Sequence, residues 1–334
     1  MNKMAKGKSK QTTIARWALL LICLLFPFIP SSPSSPTSEP SSENRLTITT
    51  DAIGSLAEQL PALLPDSISE LKICGPLNDD DVKAIRHLVS RKEDTEISID
   101  LSEAFITDLE QGCFKGCTNL REVVLPSYLR TIGDEAFEGC SNLHAIEIPN
   151  LTKSIGSGCF ENCTSLESVI MHGFIETLES SVFRHCRSLH TVKLPASLRS
   201  IGDYAFQECA ALTGILLPIV ISEIGDHAFE KCSSLKVIAI PAACTNIGSA
   251  AFRHCSALQQ VEMPIALKNI EGNAFSKCTS LHQINIMART PPSITHSTFD
   301  GVTTDACHLH VPHGMVSKYR KDPSWSQFTH ITEF

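Results

Sequence analysis

From residue 97 onward the apolar and polar positions of the chain recur with an interval of 23 residues. Each unit starts at an aliphatic residue such as Leu120, carries further aliphatic side chains at positions 4 and 6, and usually has proline at position 7. This alternation predicts a short strand with one buried face, and proline ends the strand because it has no N–H to donate. An aliphatic residue near position 13 then turns the chain back towards the interior.

Each unit closes on the box Ala-Phe-x-x-Cys, which gives two ladders of identical residues. The phenylalanines are Phe114, Phe137, Phe160, Phe183, Phe206, Phe229, Phe252 and Phe275. The cysteines are Cys117, Cys140, Cys163, Cys186, Cys209, Cys232, Cys255 and Cys278. One unit cannot close a core alone, whereas stacked units bury a continuous one with like side chains about 4.8 Å apart. The pattern therefore predicts a solenoid, with about nine units over residues 97–304.

The pattern LxxVxLPxxLxxIGxxAFxxC resembles the BspA-like leucine-rich repeat family of bacterial surface proteins. The segments 68–88 and 309–331 resemble the family's caps. The resemblance implies an α/β repeat fold, a leucine-rich-repeat solenoid of short parallel strands. It places a small N-terminal strand/helix cap at 46–96 and a C-terminal cap at 305–334. The departures from the pattern are His172 for proline, Glu179 and Glu271 for glycine, and Val182 for alanine.

The N-terminal segment has a different character from the repeats. Residues 1–30 contain five basic and no acidic groups, followed by a thirteen-residue apolar run from Trp17 to Ile29. This is typical of an export signal and short for a membrane span of about 20 residues. We expect it to be cleaved or to stay as a membrane anchor. Residues 31–45 are Ser/Pro-rich, which favours an extended linker.

Composition narrows the class of function. The 334 residues are 43% hydrophobic and carry a formal net charge of −8, and the basic groups concentrate in the N-terminal segment. The rest of the chain is therefore acidic, so a nucleic-acid role is not expected. We expect a monomer whose membrane association runs through the N-terminal segment only.

The fourteen cysteines allow three interpretations. We favour buried free thiols that act as small hydrophobic groups. Disulfides between neighbouring units are disfavoured because identical stacked rotamers do not give the dihedral of about 90° that the bond needs. Metal ligation is disfavoured because a linear stack does not converge on one point. A metal contact by His308 and His310 on the final strand remains a minor alternative to a solvated strand. We expect no metal and no cofactor.

A solenoid exposes one strand face as a binding surface. We predict that a protein ligand contacts position 5 of each unit, with position 3 beside it. The candidate residues at position 5 are Val124, Glu147, Ile170, Lys193, Leu216, Ala239, Glu262 and Asn285. Three large aliphatic side chains among them either mark a contact surface or are isolated apolar residues, and both interpretations stay open. No aromatic row is expected on these two positions.

These features predict an exported, cell-surface or secreted scaffold without enzymatic activity. The only break in the repeat is ARTPPS at 288–293, and the chain lacks the common catalytic motifs. Because the resembled family is linked to adhesion, adhesin-like protein binding is the first hypothesis. The alternative is a structural or accessory component of the cell envelope without a host ligand.

Overall fold

The computed structural model describes residues 44–60, 65, 67–91 and 95–334. They form a right-stacked series of about 12 turns, each contributing a short strand to a parallel sheet. The predicted export signal and residues 31–43 of the predicted linker lie outside the described residues. Across the described ranges, no helix combines the length and the apolar character needed to cross a membrane.

The exposed face of the solenoid consists of two blocks of parallel strands. The first block is β1 (Arg45–Thr49), β2 (Glu70–Pro76), β3 (Ile97–Asp100), β6 (Leu120–Val124), β8 (Ala145–Ile148), β10 (Ser168–Met171) and β12 (Thr191–Lys193), with β4 (Ala104–Phe105) beside β2. The second is β15 (Val237–Ala239), β17 (Gln260–Met263), β19 (Gln283–Ile286), β20 (His308–Val311) and β21 (His330–Glu333). Both caps therefore add strands to the sheet of the repeats.

The two blocks are separate because the unit at 212–234 has no strand. Residues 214–216 sit where the pattern predicts one, but the sheet ends at β12 and resumes at β15. Gly214 occupies an outward-facing position there, and glycine inside a strand weakens it. Leu216, which we predicted to lie on a strand, therefore lies in this gap.

A second ladder of two-residue strands follows at positions 12 and 13. Its members are β5 (Asp108–Leu109), β7 (Thr131–Ile132), β9 (Ser154–Ile155), β11 (Thr177–Leu178), β13 (Ser200–Ile201), β14 (Glu223–Ile224), β16 (Asn246–Ile247) and β18 (Asn269–Ile270). The second residue of each strand is buried. The predicted inward turn of the chain is thus a hydrogen-bonded ladder of its own.

The box residues stack in the interior as the interval predicts. All eight ladder phenylalanines are fully buried, and successive ring centroids lie 5.1–5.5 Å apart. The stack continues to Phe299, where Trp325 and Phe328 meet it edge-on. Edge-to-face contact is a favoured aromatic geometry and ends the stack without leaving a ring face bare.

Each ladder cysteine from Cys140 to Cys278 donates its thiol to the carbonyl oxygen of a phenylalanine one turn earlier. The Sγ···O distances are 3.1–3.2 Å, as from Cys163 to Phe137 and from Cys209 to Phe183. All thirteen described cysteines are free, and twelve of them are buried. The interpretation as buried thiols thus agrees with the described residues, and the thiol has a partner in addition to its packing.

The N-terminal cap closes one end of the core. After the four-residue helix α1 (Leu56–Gln59) and β2 comes helix α2 (Asp79–Ser90), as the sequence predicts. Asn78 and Asp81 form a capping box at its start, and buried Asp81 also accepts the N–H groups of Gly54 and Leu56 at 2.8 and 3.1 Å. One charged side chain thereby fixes both helices, since its oxygens satisfy backbone donors.

The C-terminal cap closes the other end with helix α3 (Val316–Lys321) and a short 3₁₀ turn at Trp325–Gln327. Tyr319 donates its hydroxyl to the carbonyl of Ala288 at 2.8 Å, and Trp325 donates its indole N–H to Pro292 at 2.8 Å. The loop 288–293 is therefore an anchor for the cap.

Candidate functional site

The predicted contact residues lie in one column along the exposed face. Strand register pairs Ile170 with both Glu147 and Lys193, and Glu262 with both Ala239 and Asn285. Val124, Glu147, Lys193 and Leu216 are exposed, whereas the other four are half-buried. The structure thus brings the predicted residues together in two groups, one on each side of the gap at 214–216.

A hollow of about 400 Å³ lies over β6, β8 and β10. Its lining includes the predicted residues Val124, Glu147 and Ile170, together with Glu122 and His172. Small side chains at Ala145 and Ser168 leave the space between them. The hollow is the place where the strand face departs from a flat surface.

His172 replaces the usual proline of its unit, and the structure gives this departure a role. Its Nε2 lies 2.6 Å from Oε1 of Glu147. Glu122, also in the lining, has no ion-pair or hydrogen-bond partner among the described residues. The charged groups that face the hollow are therefore two carboxylates and one imidazole.

A row of exposed apolar side chains runs beside the hollow, which we call the apolar row. Its members are Phe105, Tyr128, Leu151 and Phe174, with exposed fractions of 61, 54, 51 and 65%. They lie 23 residues apart in four successive turns, in the loop that follows each strand. The rings of Phe105 and Tyr128 are 6.1 Å apart.

The prediction that no aromatic row lines the face holds for positions 3 and 5 but misses this neighbouring loop. The equal interval between Phe105, Tyr128, Leu151 and Phe174 was visible in the sequence. It was missed because alternation along the strands was the only criterion for exposed positions.

Ion pairs occupy the N-terminal end of the face. Arg45 lies 3.2 Å from Glu70 and 3.3 Å from Asp100, and Lys72 lies 3.5 Å from Asp100 and 2.6 Å from Glu103. These charges neutralise one another at a partly exposed surface, so each pair contributes little to stability.

Histidines occupy the C-terminal end of the face. The ring of His308 lies 5.2 Å from that of His330 and 6.3 Å from that of His310. Burial, and then His308, lower the pKa of His310. Over the residues that the structure describes, no group of three or more histidine, cysteine or acidic side chains is arranged to hold a metal ion. The metal contact considered for His308 and His310 gains no support.

Parallel strands on one face, a second short ladder and a stacked Phe/Cys core define a leucine-rich repeat solenoid. A model of the BspA type leucine-rich repeat region matches residues 95–213 and 176–305 in six copies. The chain therefore belongs to the BspA-type leucine-rich repeat family.

Solved structures show the same fold. A leucine-rich repeat protein from Bacteroides ovatus is 24% identical with a TM-score of 0.50, over 80% of this chain and 84% of that one. The T. pallidum leucine-rich repeat protein is 26% identical with a TM-score of 0.33, over 57% and 72%. A leucine-rich cell surface protein from Faecalibacterium prausnitzii is 20% identical with a TM-score of 0.37, over 88% and 91%. No protein of curated function is significantly similar to this chain.

Proposed function

We propose that this chain is an exported, non-enzymatic scaffold that binds a protein at the cell surface through its exposed strand face, in the manner of an adhesin. The observation that supports this is where the exposed apolar side chains lie. Among the described residues, ten large hydrophobic side chains are exposed. All except Ile53 and Phe334 belong to the strands of the face or the loops that follow them. Concentrated exposed apolar surface is a mark of protein contact sites.

The repeat itself favours a scaffold over a catalyst. The loop 288–293 is the one irregular insertion in the array, and it is engaged by the cap through Lys318, Tyr319 and Trp325. Every other turn repeats the same backbone path, which provides a long surface but no site-specific loop. A binding function uses such a surface directly.

Cross-linking on intact cells tests the proposal. The full chain should be accessible to added protease and should cross-link a protein of a second cell or of extracellular matrix. The variant Val124→Asp/Leu216→Asp places charge on the face and should reduce this yield by about tenfold, because buried apolar contacts are lost. Thr279→Asp adds charge in an exposed turn and serves as the matched control.

Three results would contradict the proposal. Equal cross-linking by both variants would move the ligand off this face. A chain that is surface-exposed yet cross-links no foreign protein would favour the envelope component. A chain that stays inside intact cells would remove the basis for adhesion.

A further inference from the structure

The apolar row and the hollow form one continuous surface. Ser127 and Asn150 line the hollow, and each directly precedes a member of the row, Tyr128 and Leu151. A bound molecule that covers the row therefore has immediate access to the hollow. Four large side chains and a cavity next to each other exceed the isolated apolar residues of an ordinary surface.

The dimensions of this surface fit an extended polypeptide. Successive strands of a sheet lie about 4.8 Å apart, so four turns span about 14 Å. An extended chain advances about 3.3 Å per residue, so four to five residues cover that length. Because side chains of an extended segment alternate, one set can contact the row while another points towards the strands.

Charge decides what enters the hollow. Glu122 and Glu147 outnumber the one ionisable cation there, His172, and Glu122 has no partner among the described residues. A lysine or arginine side chain would supply the missing charge. On the far side of the row, Arg130 and Lys153 are exposed two residues beyond Tyr128 and Leu151. These cations disfavour a basic side chain on that side, so the asymmetry orients the bound segment.

Resting on the proposed function, we propose that this surface binds an extended segment of a partner protein in which apolar side chains cover the apolar row and a lysine or arginine enters the hollow. A second copy of this chain fits poorly. Two such surfaces face to face would bring the carboxylates of Glu122 and Glu147 together, and the chain is acidic overall.

Binding of labelled peptides to the purified full chain tests the proposal by fluorescence anisotropy. The probes are peptides of about ten residues with alternating side chains, in four compositions: basic-apolar, acidic-apolar, neutral-apolar and basic-polar. We expect the basic-apolar peptide to bind about tenfold more tightly than the acidic-apolar one. Raising the salt concentration from about 50 to about 500 mM should reduce that preference.

Two variants separate the contributions of charge and apolar surface. Glu122→Gln/Glu147→Gln should bring the basic-apolar and neutral-apolar peptides to within about twofold of each other. Phe105→Ser/Phe174→Ser should weaken all apolar peptides by about tenfold, because buried aromatic area is lost. Ile265→Ser removes an equally exposed side chain elsewhere on the face and should leave binding unchanged. Unaltered circular dichroism and thermal midpoints establish that the variants fold.

Several results would overturn the inference. They are equal or tighter binding of the acidic-apolar peptide, binding that survives Phe105→Ser/Phe174→Ser, or no binding of any peptide. Stronger binding of soluble polysaccharides than of peptides would identify the row as a sugar-stacking surface instead. If cells still cross-link a protein through the Val124/Leu216 face, only this inference fails. If basic-apolar peptides bind but no surface protein is captured, the proposed function fails and the chemistry of the hollow stands.

Discussion

The ladder cysteine and the cysteine that replaces alanine in the box differ in what their sulfur contacts. In the turn at 143–165 both occur: Cys163 donates to the carbonyl of Phe137 at 3.1 Å, whereas Cys159 occupies the small-residue position and has no hydrogen-bond partner among the described residues. Both side chains are fully buried. The same residue type therefore has two roles four residues apart.

This contrast predicts different costs of truncation. Cys163→Ala should lower the free energy of unfolding by about 2 kcal/mol, since it leaves a cavity and removes a buried hydrogen bond. Cys159→Ala restores the residue that neighbouring turns use and should cost less than about 1 kcal/mol. Urea unfolding of the two variants measures the difference. Equal costs would show that the thiol acts by packing alone.

Burial also controls thiol chemistry. Burial raises the pKa of Cys244 to about 11 and that of Cys278 to about 12, from the usual value of 9.0. The reactive thiolate is therefore scarce, and access is blocked. At pH 8, alkylation of the native chain followed by peptide mapping should modify half-exposed Cys74 long before the twelve buried residues. Native cross-links between consecutive ladder cysteines would contradict the buried-thiol interpretation.

At the scale of the element, each turn depends on its neighbours through the stacked rings. Phe206 lies 5.4 Å from Phe183 and 5.1 Å from Phe229, and no other type of core residue replaces that contact. Phe206→Ala should destabilise the protein by about 3–5 kcal/mol, as a large-to-small change in a packed core. Hydrogen exchange should rise first across residues 189–234, where the strand at 214–216 is already absent.

The outcome of that exchange experiment has a clear alternative. Uniform loosening from end to end would mean that the array unfolds as one unit, against nearest-neighbour coupling. Phe299→Ala, which removes the last ring before the cap, is the matched control and should loosen the C-terminal turns instead.

The sequence predicted those elements that a repeated side chain determines. The phenylalanine and cysteine ladders, the helix after β2 and the cap around Tyr319 and Trp325 follow from apolar spacing and were recovered. The gap at 214–216 was not, because its apolar run looks like a strand while pairing depends on neighbouring backbones. The hollow also escaped prediction, because it arises from small side chains on adjacent turns whose combined effect appears only after stacking.

At the scale of the whole molecule, the folded unit begins close to the end of the predicted linker. We assigned Arg45 to the linker, but it is the first residue of β1 and contacts Glu70 and Asp100. Deleting residues 1–43 should therefore leave a soluble, monomeric protein that unfolds cooperatively. Deleting residues 1–49 removes β1, exposes the edge of β2 and should lower the thermal midpoint by several degrees. Equal midpoints for the two proteins would show that β1 adds no stability.

A row of twelve buried thiols also makes this protein a store of protons. The native state holds these protons above pH 9, where the unfolded chain releases them, so unfolding becomes easier as the pH rises. One pH unit above the unfolded pKa each thiol contributes about 1.4 kcal/mol to that loss, and several together match the total stability of about 5–15 kcal/mol typical of a domain. The unfolding midpoint should fall steeply between about pH 9 and 11. Replacing Cys186, Cys209 and Cys232 by alanine should flatten that slope, and an unchanged slope would contradict the account. The repetition that builds the core thus sets an alkaline limit on the fold.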